Sequence, residues 1–531
     1  MKSHSYLKSL RYSIIILLIL GVFFRFVNLD RKTYWHDEIF TSFWLAGYTV
    51  EDVENEVAKG QVISVEELLN YQRLHGDKGL VDTVQAIKDE DPQHPPLYYA
   101  IARFWVGLQG LNPVQTRMVS VLISFLVFPC LYWLCLELFD SSLVGWIAMA
   151  LLAISPFHVL YAQEARQYSL WAVTILLSSA SLLRAMRQST LSNWVIYAVG
   201  VSLVLYSHLL SFLLLIGHSF YIAAMSGWRF SKELRCYLLA LTAGLITFIP
   251  WLIVIDEIGA SGWTGNDLSL LTLGQRWLLN VTAVFFDPQV LYKEQLFEVR
   301  TRVDPVPLVS INHPLSFLVI PILILVGYAI YFLIRNTPKR TWLLIIVLIG
   351  STGLLLGLPD LIVGGQRSSI ARYQIPCLLG IQVAVAYLLT TKITTLSVKV
   401  GQQKLWQIVT VVLISLGVVS CAMSAQAQTW WTKYSSYYDP EVAQKINASS
   451  SPLVISNSIV RTTGLSYLLD SQVSLLLLGG EEPPLPNFST NFSDVFLYQS
   501  SSEFRDQFEQ QPNYKVEPIH LLGQLWRVSL K

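Results

Sequence analysis

The sequence is poor in charged residues. Only 14% of its 531 residues are Asp, Glu, Lys or Arg, and their charges nearly cancel, leaving a formal net charge of +1. A chain without an excess of basic residues lacks the electrostatic footprint of a nucleic-acid-binding protein, so any arginine or lysine that matters must act locally. We therefore predict no nucleic-acid partner.

Cysteine is also scarce. The five cysteines all lie within apolar stretches, and none lies in the polar C-terminal segment. Their spacing matches neither a disulfide framework nor a metal-binding motif, so we interpret them as small core side chains. Internal repeats and low-complexity tracts are missing as well. The five residues are Cys130, Cys135, Cys236, Cys377 and Cys421.

Apolar residues, by contrast, are abundant. They make up 53% of the chain, and the mean hydropathy is +0.48, which is far more apolar than an ordinary globular protein. Apolar runs of bilayer-crossing length predict a polytopic membrane protein with about eleven transmembrane helices. The first run covers 12–24, and the others lie at about 115–138, 143–160, 168–185, 193–209, 211–227, 236–255, 314–334, 341–357, 373–391 and 405–424.

Basic residues predict the orientation of these spans. Lys2, Lys8 and Arg11 precede the first run, and no small-residue cleavage site follows it, which favours a retained helix with a cytoplasmic N-terminus. An odd number of spans then places the C-terminal segment outside. The later basic clusters agree with this topology: Arg184 and Arg187; Arg229, Lys232 and Arg235; Arg335, Lys339 and Arg340; and Lys392, Lys399 and Lys404.

Polar segments divide the chain into two domains. Residues 1–425 form the predicted membrane domain, and its long loop 28–113 is expected to be extracytoplasmic and catalytic. Within that loop, 62–69 has a helical period and 97–108 reads as an interfacial helix. Residues 426–531 alternate strand-like and helix-like runs, which predicts a small extracytoplasmic α/β domain. The expected fold class is thus an all-α polytopic membrane protein with a small α/β C-terminal domain.

Four polar clusters fall at the predicted outer ends of helices. Each alone fits a structural role, since acids complement a helix dipole, proline suits a helix's first turn, and a histidine such as His208 at a tight turn is commonly only hydrogen-bonded. Convergence on one face of the membrane nevertheless predicts a site, and the arginines of the last cluster indicate an anion site. The clusters are Asp37-Glu38, His94-Pro95-Pro96, Glu164-Ala165-Arg166-Gln167-Tyr168, and Arg367 to Arg372-Tyr373.

These motifs resemble those of a known group. They are similar to the bacterial branch of the protein O-mannosyltransferase and aminoarabinose-transferase superfamily, within the GT-C fold of glycosyltransferases. The similarity covers residues up to about 230. It is carried by Arg25-Phe26-Val27-Asn28-Leu29 followed by Trp35-His36-Asp37-Glu38, by His94-Pro95-Pro96-Leu97-Tyr98, by Tyr161-Ala162-Gln163-Glu164-Ala165-Arg166-Gln167-Tyr168, and by Tyr206-Ser207-His208.

The resemblance implies a transferase of the bacterial inner membrane. Such an enzyme would take a sugar from a polyprenyl-phosphate donor and pass it to an acceptor glycan, lipid or protein at the outer face of the bilayer. Asp37 would match the general base, with Glu38 supporting it or orienting the loop. Glu164 would match a second acid that positions the acceptor or contacts a metal, and His94 would lie near the donor phosphate.

The expected chemistry is simple. A lipid phosphate is already a good leaving group, so one base that deprotonates the acceptor hydroxyl suffices, and displacement inverts the anomeric carbon. Positive groups must stabilise the charge on the departing phosphate, and Arg367 and Arg372 are the first candidates, ahead of Arg166 and His94. The other predicted pocket residues are His208, Tyr168 and Tyr373.

Other interpretations remain open at this level. A glycan-lipid transporter or flippase would also have many spans, although it should carry polar residues near mid-bilayer. A non-catalytic sensor is the third class. No cofactor is predicted with certainty, and a divalent metal is left open because several acids and histidines have suitable chemistry without a recognised ligand spacing. Those residues are His36, Asp37, Glu38, His94, Glu164 and His208.

Overall fold

The structure is a computed structural model. It describes residues 2–255, 268–288, 317–394, 400–480, 485, 492–521 and 523–530. Within these ranges the chain forms a bundle of apolar helices and one six-stranded sheet.

A polar region of short elements follows the first helix. Two of its helices begin with a capping box, in which the Thr49 or Ser64 hydroxyl accepts a hydrogen bond from the backbone N–H three residues on. The acid at that position accepts one from the backbone N–H of Thr49 or Ser64. The starts of these two helices are therefore determined by local sequence as well as by packing. Its elements, with the first helix, are α1 (Lys2–Phe26), α2 (His36–Ala46), α3 (Val50–Val57), β1 (Lys59–Ser64), α4 (Val65–Asn70), α5 (Leu80–Glu90) and α6 (Leu97–Gln109).

The helix bundle is apolar enough to span a membrane. Among the described residues, seven helical runs are long and apolar enough to cross, or eight if the bent pair α9 and α10 is one span. The chain is an integral membrane protein, while the count of eleven and the orientation stay predictions. The bundle helices are α7 (Pro113–Ser124), α8 (Val127–Phe139), α9 (Ser142–Ala153), α10 (Pro156–Ala162), α11 (Tyr168–Arg187), α12 (Leu191–Ser207), α13 (Ser211–Met225), α14 (Lys232–Ile255), α15 (Leu270–Thr282), α16 (Val319–Asn336), α17 (Lys339–Ile362), α18 (Ile375–Thr394) and α19 (Val400–Gln426).

The break between α9 and α10 has a local cause. The two helices meet at 65°, and the buried Arg25 of α1 donates to the carbonyl oxygens of Ala153 and Leu152 at 2.7 and 3.2 Å, which satisfies groups at the end of α9. A Cβ on Gly21 would lie 2.4 Å from the Ala153 oxygen, so glycine permits this close approach of α1. The bend carries the chain into the loop 163–167, which bears Glu164 and Arg166.

The C-terminal part of the chain builds an α/β unit. Its sheet has the order β1-β3-β2-β4-β6-β5, with β2 parallel to both β3 and β4 and the other pairs antiparallel. Every residue of β2 is buried, as expected for a central parallel strand. The predicted small α/β unit is confirmed. Its elements are α20 (Asp439–Asn447), β2 (Pro452–Ser456), α21 (Ile459–Ser466), β3 (Ser474–Leu478), β4 (Asp494–Tyr498), α22 (Ser502–Gln510), β5 (Tyr514–His520) and β6 (Leu525–Leu530).

One strand of this sheet comes from the loop near the N-terminus. The interpretation of 62–69 as one helical stretch is wrong for its first part, because Val62 and Ile63 belong to β1 and pair with Leu476 and Leu475 of β3. The helix α4 begins only at Val65. Val62 and Ile63 are β-branched, which favours a strand when the edge of another strand is free to pair. That pairing partner is distant in the sequence, so the local pattern does not reveal it. The sheet therefore draws on both predicted domains.

Candidate active site

A polar cavity of about 630 Å³ lies between the helix bundle and the α/β unit. All four predicted clusters reach it, since its lining includes the predicted residues Asp37, His94, Arg166, Tyr168, His208, Arg367, Arg372 and Tyr373. Sequence analysis did not single out Asp91, Tyr434, Ser435 and Arg461, which also line it. Asp91 had a local signal, because it lies three residues before His94, whereas the other three are remote in sequence from every cluster.

Asp37 is a buried carboxylate beside two arginines. It lies in the first turn of α2, and its Oδ2 is 3.6 Å from Nη2 of Arg372. Nη1 of Arg166 donates to the Asp37 backbone oxygen at 3.3 Å. Burial alone would raise the pKa of Asp37, but the Arg372 and Arg166 charges hold it below its usual value. Asp37 is therefore ionised at neutral pH, and its Oδ2 accepts no hydrogen bond from any described residue.

Glu38 points into a different environment from its neighbour. Its two carboxylate oxygens accept bidentate hydrogen bonds from Arg117, both at 2.7 Å, and Nζ of Lys433 donates to Oε2 at 2.8 Å. The backbone N–H of Ala165 donates to Oε1 at 3.0 Å. Burial raises its pKa, but Arg117 and Lys433 outweigh this and lower the pKa to about 2. Glu38 thus joins α2, the loop 163–167 and the turn Trp431–Ser436.

His94 and Arg166 form a compact cluster on another wall. Nε2 of His94 lies 2.8 Å from Nη2 of Arg166 and 3.2 Å from Oδ2 of Asp91. Burial lowers the pKa of His94, and the Arg166 charge lowers it further, so the imidazole is neutral at neutral pH. The guanidinium also lies 5.5 Å from the Trp44 ring centroid. The fixed positive charge on this wall is therefore that of Arg166.

The segment 364–374, which carries Arg367 and Arg372, is fixed by hydrogen bonds to neighbouring elements. Oδ2 of Asp360 accepts from both the backbone N–H and the hydroxyl of Ser368 at 2.6 Å, and Asn280 donates to the Ser369 oxygen at 2.9 Å. Arg372 lies 5.9 Å from the Trp35 ring centroid. These contacts fix the direction of the segment, so its arginines meet the cavity with little ordering cost.

The sequence contains four Asn-X-Ser/Thr sites, at Asn280, Asn447, Asn487 and Asn491, which matter only in a host that N-glycosylates. Asn280 is buried and its side-chain amide is hydrogen-bonded. The side-chain amide of Asn447 donates to the Leu468 oxygen at 3.0 Å. Asn487 and Asn491 lie outside the described residues.

His208 and Tyr168 complete the aromatic part of the lining. The His208 ring stacks on Trp171 with a centroid distance of 4.1 Å, and its Nδ1 accepts from the Leu210 backbone at 3.1 Å. The Tyr168 ring contacts Tyr161 edge-on at 5.2 Å. Both side chains are therefore held in place while bordering the cavity.

Glu164 is buried but does not line the cavity. It is 1% exposed, and neither of its carboxyl oxygens accepts a hydrogen bond from the described residues. Burial and the nearby charges of Glu38 and Asp37 together raise the pKa of Glu164 to about 7, against the lowering effect of Lys433. A buried, unpaired carboxyl of this kind is protonated below neutral pH and ionises as the pH rises.

This carboxyl predicts a pH-dependent stability. Because the pKa of Glu164 is higher in the folded state than the usual glutamate value of 4.5, protonation stabilises the fold, and that contribution is lost as pH rises through about 7. We expect the melting temperature of the wild type to fall between pH 5 and pH 8 relative to that of Glu164→Gln. Thermal unfolding of both proteins across this range measures the difference. Parallel curves of melting temperature against pH would contradict the prediction. The effects of other titrating groups cancel because the two proteins differ only at Glu164.

Four of the predicted metal-ligand candidates line the cavity, namely His36, Asp37, His94 and His208, without forming a metal-binding arrangement. Among the described ranges, no group of three or more His, Cys, Asp and Glu residues is placed to hold a metal ion. The Glu38 carboxylate is engaged by two cations, and Nδ1 of His208 accepts from the backbone.

Comparison with solved structures defines the class of the fold. The chain is similar over 98% of its length, and 98% of the other chain, to the crystal structure of ArnT from Cupriavidus metallidurans in the apo state, with a TM-score of 0.51 and 11% identity. This is the fold of the GT-C glycosyltransferases, as the resemblance implied. The same ArnT bound to undecaprenyl phosphate matches at a TM-score of 0.47 and 11% identity, covering 97% of each chain. An Archaeoglobus fulgidus oligosaccharyltransferase in the apo form matches at 0.45 and 11%, covering 88% of this chain and 64% of the other.

A family comparison agrees with the sequence motifs. Residues 93–254 match the family model described as dolichyl-phosphate-mannose-protein mannosyltransferase. This range includes three of the motifs that carried the resemblance, and the recognition of the superfamily is confirmed. No curated protein sequence matches the chain.

Proposed function

We propose that this protein is a glycosyltransferase that moves a sugar from a polyprenyl-phosphate donor to an acceptor hydroxyl at the extracytoplasmic face of the membrane. The observation that carries the proposal is the arrangement of the cavity, where the ionised Asp37 lies beside Arg372 and Arg166. The donor class is supported by the description of the matching family model. It is also supported by the crystallisation of ArnT, which shares this fold, with undecaprenyl phosphate.

The apolar part of the cavity lining suits a donor with a lipid tail. Leu209 and Leu210, at the turn between α12 and α13, and Leu356 of α17 form an apolar part of its lining. Close by in the chain, Ile362 and Val363 at the end of α17 are 78% and 83% exposed. Exposed apolar residues beside a polar cavity fit a ligand whose head group is charged and whose tail stays in lipid.

In the proposed reaction Asp37 is the general base. Its carboxylate accepts the acceptor hydroxyl proton while the hydroxyl oxygen attacks the anomeric carbon from the side opposite the phosphate. The bond between that carbon and the phosphate oxygen breaks, its electron pair goes to the phosphate, and the anomeric configuration inverts. Negative charge thus moves from Asp37 to the leaving lipid phosphate.

Arginines stabilise the charge that arrives on the phosphate. Arg372 is assigned the main part because it borders both Asp37 and the cavity, with Arg166, Arg367 and His94 as further donors. Glu38 is assigned a positioning role, since both of its oxygens are occupied. Glu164 is assigned an electrostatic role, because its ionisation would add a negative charge near Asp37.

The donor assignment is tested on the reconstituted protein. Labelled mannosyl-phosphoryl-polyprenol and other polyprenyl-phosphate sugars are offered together with a mixture of lipid, glycan and peptide acceptors. We expect transfer by the wild type, and a decrease in kcat/KM of about 10²–10³-fold for Arg372→Gln, since a preorganised charge donor is removed. Arg73→Gln, at an exposed ion pair of the loop, is the control and should leave the rate unchanged.

Two results would contradict this assignment. Transfer by Arg372→Gln at the wild-type rate would remove Arg372 from the phosphate site. Movement of the labelled lipid between leaflets without any sugar transfer would instead favour a transporter.

A further inference from the structure

The wall of the cavity formed by the C-terminal unit contains an arginine. Arg461 belongs to α21 and lines the cavity with Tyr434 and Ser435 of the preceding turn. The charge of Arg461 acts on His36, which also lines the cavity. Burial lowers the pKa of His36 to about 4, Asp37 opposes this lowering, and Arg461 adds to it. The α/β unit therefore supplies part of the site itself, in addition to covering it.

The Arg461 side chain is held by Gln499, a residue with an unusual backbone conformation at the end of β4. Its Nη1 donates to Oε1 of Gln499 at 2.5 Å. Gln499 directly follows β4 and has φ of 51°, a left-handed conformation that non-glycine residues rarely adopt, and its N–H donates to the Gln524 oxygen at 2.9 Å. Unfavourable backbone conformations persist where surrounding structure enforces them, and they cluster at ligand sites. The strained residue here directs a guanidinium towards the cavity.

The charge of the cavity leaves a role for Arg461. Positive side chains outnumber negative ones in its lining, because four arginines face two aspartates: Arg166, Arg367, Arg372 and Arg461 against Asp37 and Asp91. A sugar-phosphoryl-lipid is a phosphodiester with a single negative charge, so a donor leaves positive charge uncompensated. Arg372 lies 3.6 Å from the Asp37 carboxylate and Arg166 donates to the Asp37 backbone oxygen, whereas Arg461 belongs to the C-terminal unit and is bonded to Gln499. The arginines therefore enter the cavity from different elements of the fold.

We propose that Arg461 binds an anionic group of the acceptor, a phosphate or a carboxylate, while the hydroxyl to be glycosylated faces Asp37. The inference rests on the proposed function of the cavity, and it assigns acceptor selection to the C-terminal unit. A guanidinium suits this task because it binds either oxyanion through two parallel hydrogen bonds. The Gln499 contact uses one nitrogen of the group, which leaves other N–H groups for a ligand.

The test measures binding of small acceptor surrogates to the full-length protein with polyprenyl phosphate present. The probes are methyl glucoside, methyl glucoside 6-phosphate and methyl glucuronide, which are neutral, phosphorylated and carboxylated. We expect the wild type to bind at least one anionic glycoside about tenfold more tightly than the neutral one, as one charge-assisted contact allows. Arg461→Gln should lose this preference, Arg461→Lys should keep part of it, and Arg527→Gln, on the exposed side of β6, should keep all of it.

Each outcome decides the proposal. Which anionic probe binds more tightly identifies the oxyanion. An equal affinity of the wild type for all three probes, or an unchanged preference in Arg461→Gln, overturns it. Weaker polyprenyl phosphate binding by Arg461→Gln also overturns it, because Arg461 would then belong to the donor site.

Melting temperatures of the variants identify a folding defect. If Arg461→Gln has one, the contact is judged on Arg461→Lys and Gln499→Ala, which should weaken the preference for the anionic probe. Failure of the proposed transfer reaction appears in the sugar-transfer assay, separately from this binding preference.

Discussion

Asp37→Asn is expected to lower kcat for sugar transfer by about 10²–10⁴-fold, the usual contribution of a general base. Asparagine has nearly the same shape but cannot accept the hydroxyl proton, whereas the arginines proposed to bind phosphate remain. Donor affinity should therefore change far less than kcat. Initial rates with labelled donor, together with binding of polyprenyl phosphate, separate the two quantities. Asp30→Asn is the matched control, because Asp30 is an exposed aspartate in the same loop.

The pH profile gives a second readout of the same carboxylate. Because the pKa of Asp37 lies below its usual value, the base is ionised at neutral pH, and its protonation should lower the rate only at pH values below the usual pKa of an aspartate. A rate for Asp37→Asn close to that of the wild type would remove Asp37 as the base. So would an acid limb near neutral pH that disappears in this variant.

Glu38→Ala is expected to destabilise the protein by about 3–5 kcal/mol, because removing one partner of a buried ion pair leaves the other charge uncompensated. Here two cations, Arg117 and Lys433, lose their partner. Their side chains are only 1% and 2% exposed, so water cannot compensate the loss. The Ala165 backbone N–H also loses its acceptor. Denaturant-induced or thermal unfolding in detergent measures the effect.

An exposed ion pair in the same polar region supplies the control for Glu38. Glu66 lies 2.6 Å from Arg73, with side chains 68% and 55% exposed, and Glu66→Ala should change the free energy of unfolding by no more than about 1 kcal/mol. Equal stability of Glu38→Ala and the wild type would contradict the positioning role. Loss of transfer by Glu38→Gln without any loss of stability would instead indicate a direct role in proton transfer.

Local patterns in the sequence predicted much of the fold. Apolar runs and basic flanks indicate a polytopic membrane protein because the cost of placing charge in lipid acts on each segment separately. The α/β unit was likewise visible from its alternating runs. The strand β1 was not, because it is stabilised by pairing with β3, more than four hundred residues away in the chain.

The site was predictable in part, for a related reason. Clusters at helix ends identified Asp37, His94, Arg166 and Arg372, which the cavity brings together. Arg461 gave no signal, because an arginine in a short helix of a water-exposed domain is ordinary until the fold places it in the lining of the cavity. Glu164 was identified as an acid of interest, but its separation from the cavity lining is a property of packing.

The sequence by itself determined the class of protein and the position of the polar clusters at helix ends, because hydropathy and charge act within single segments. It could not assign separate roles to two adjacent acids. Neighbouring residues on a helix point about 100° apart, and what each one meets depends on remote parts of the chain. Only the tertiary structure decided that Glu38 meets Arg117 and Lys433, 79 and 395 residues away, while Asp37 borders the cavity.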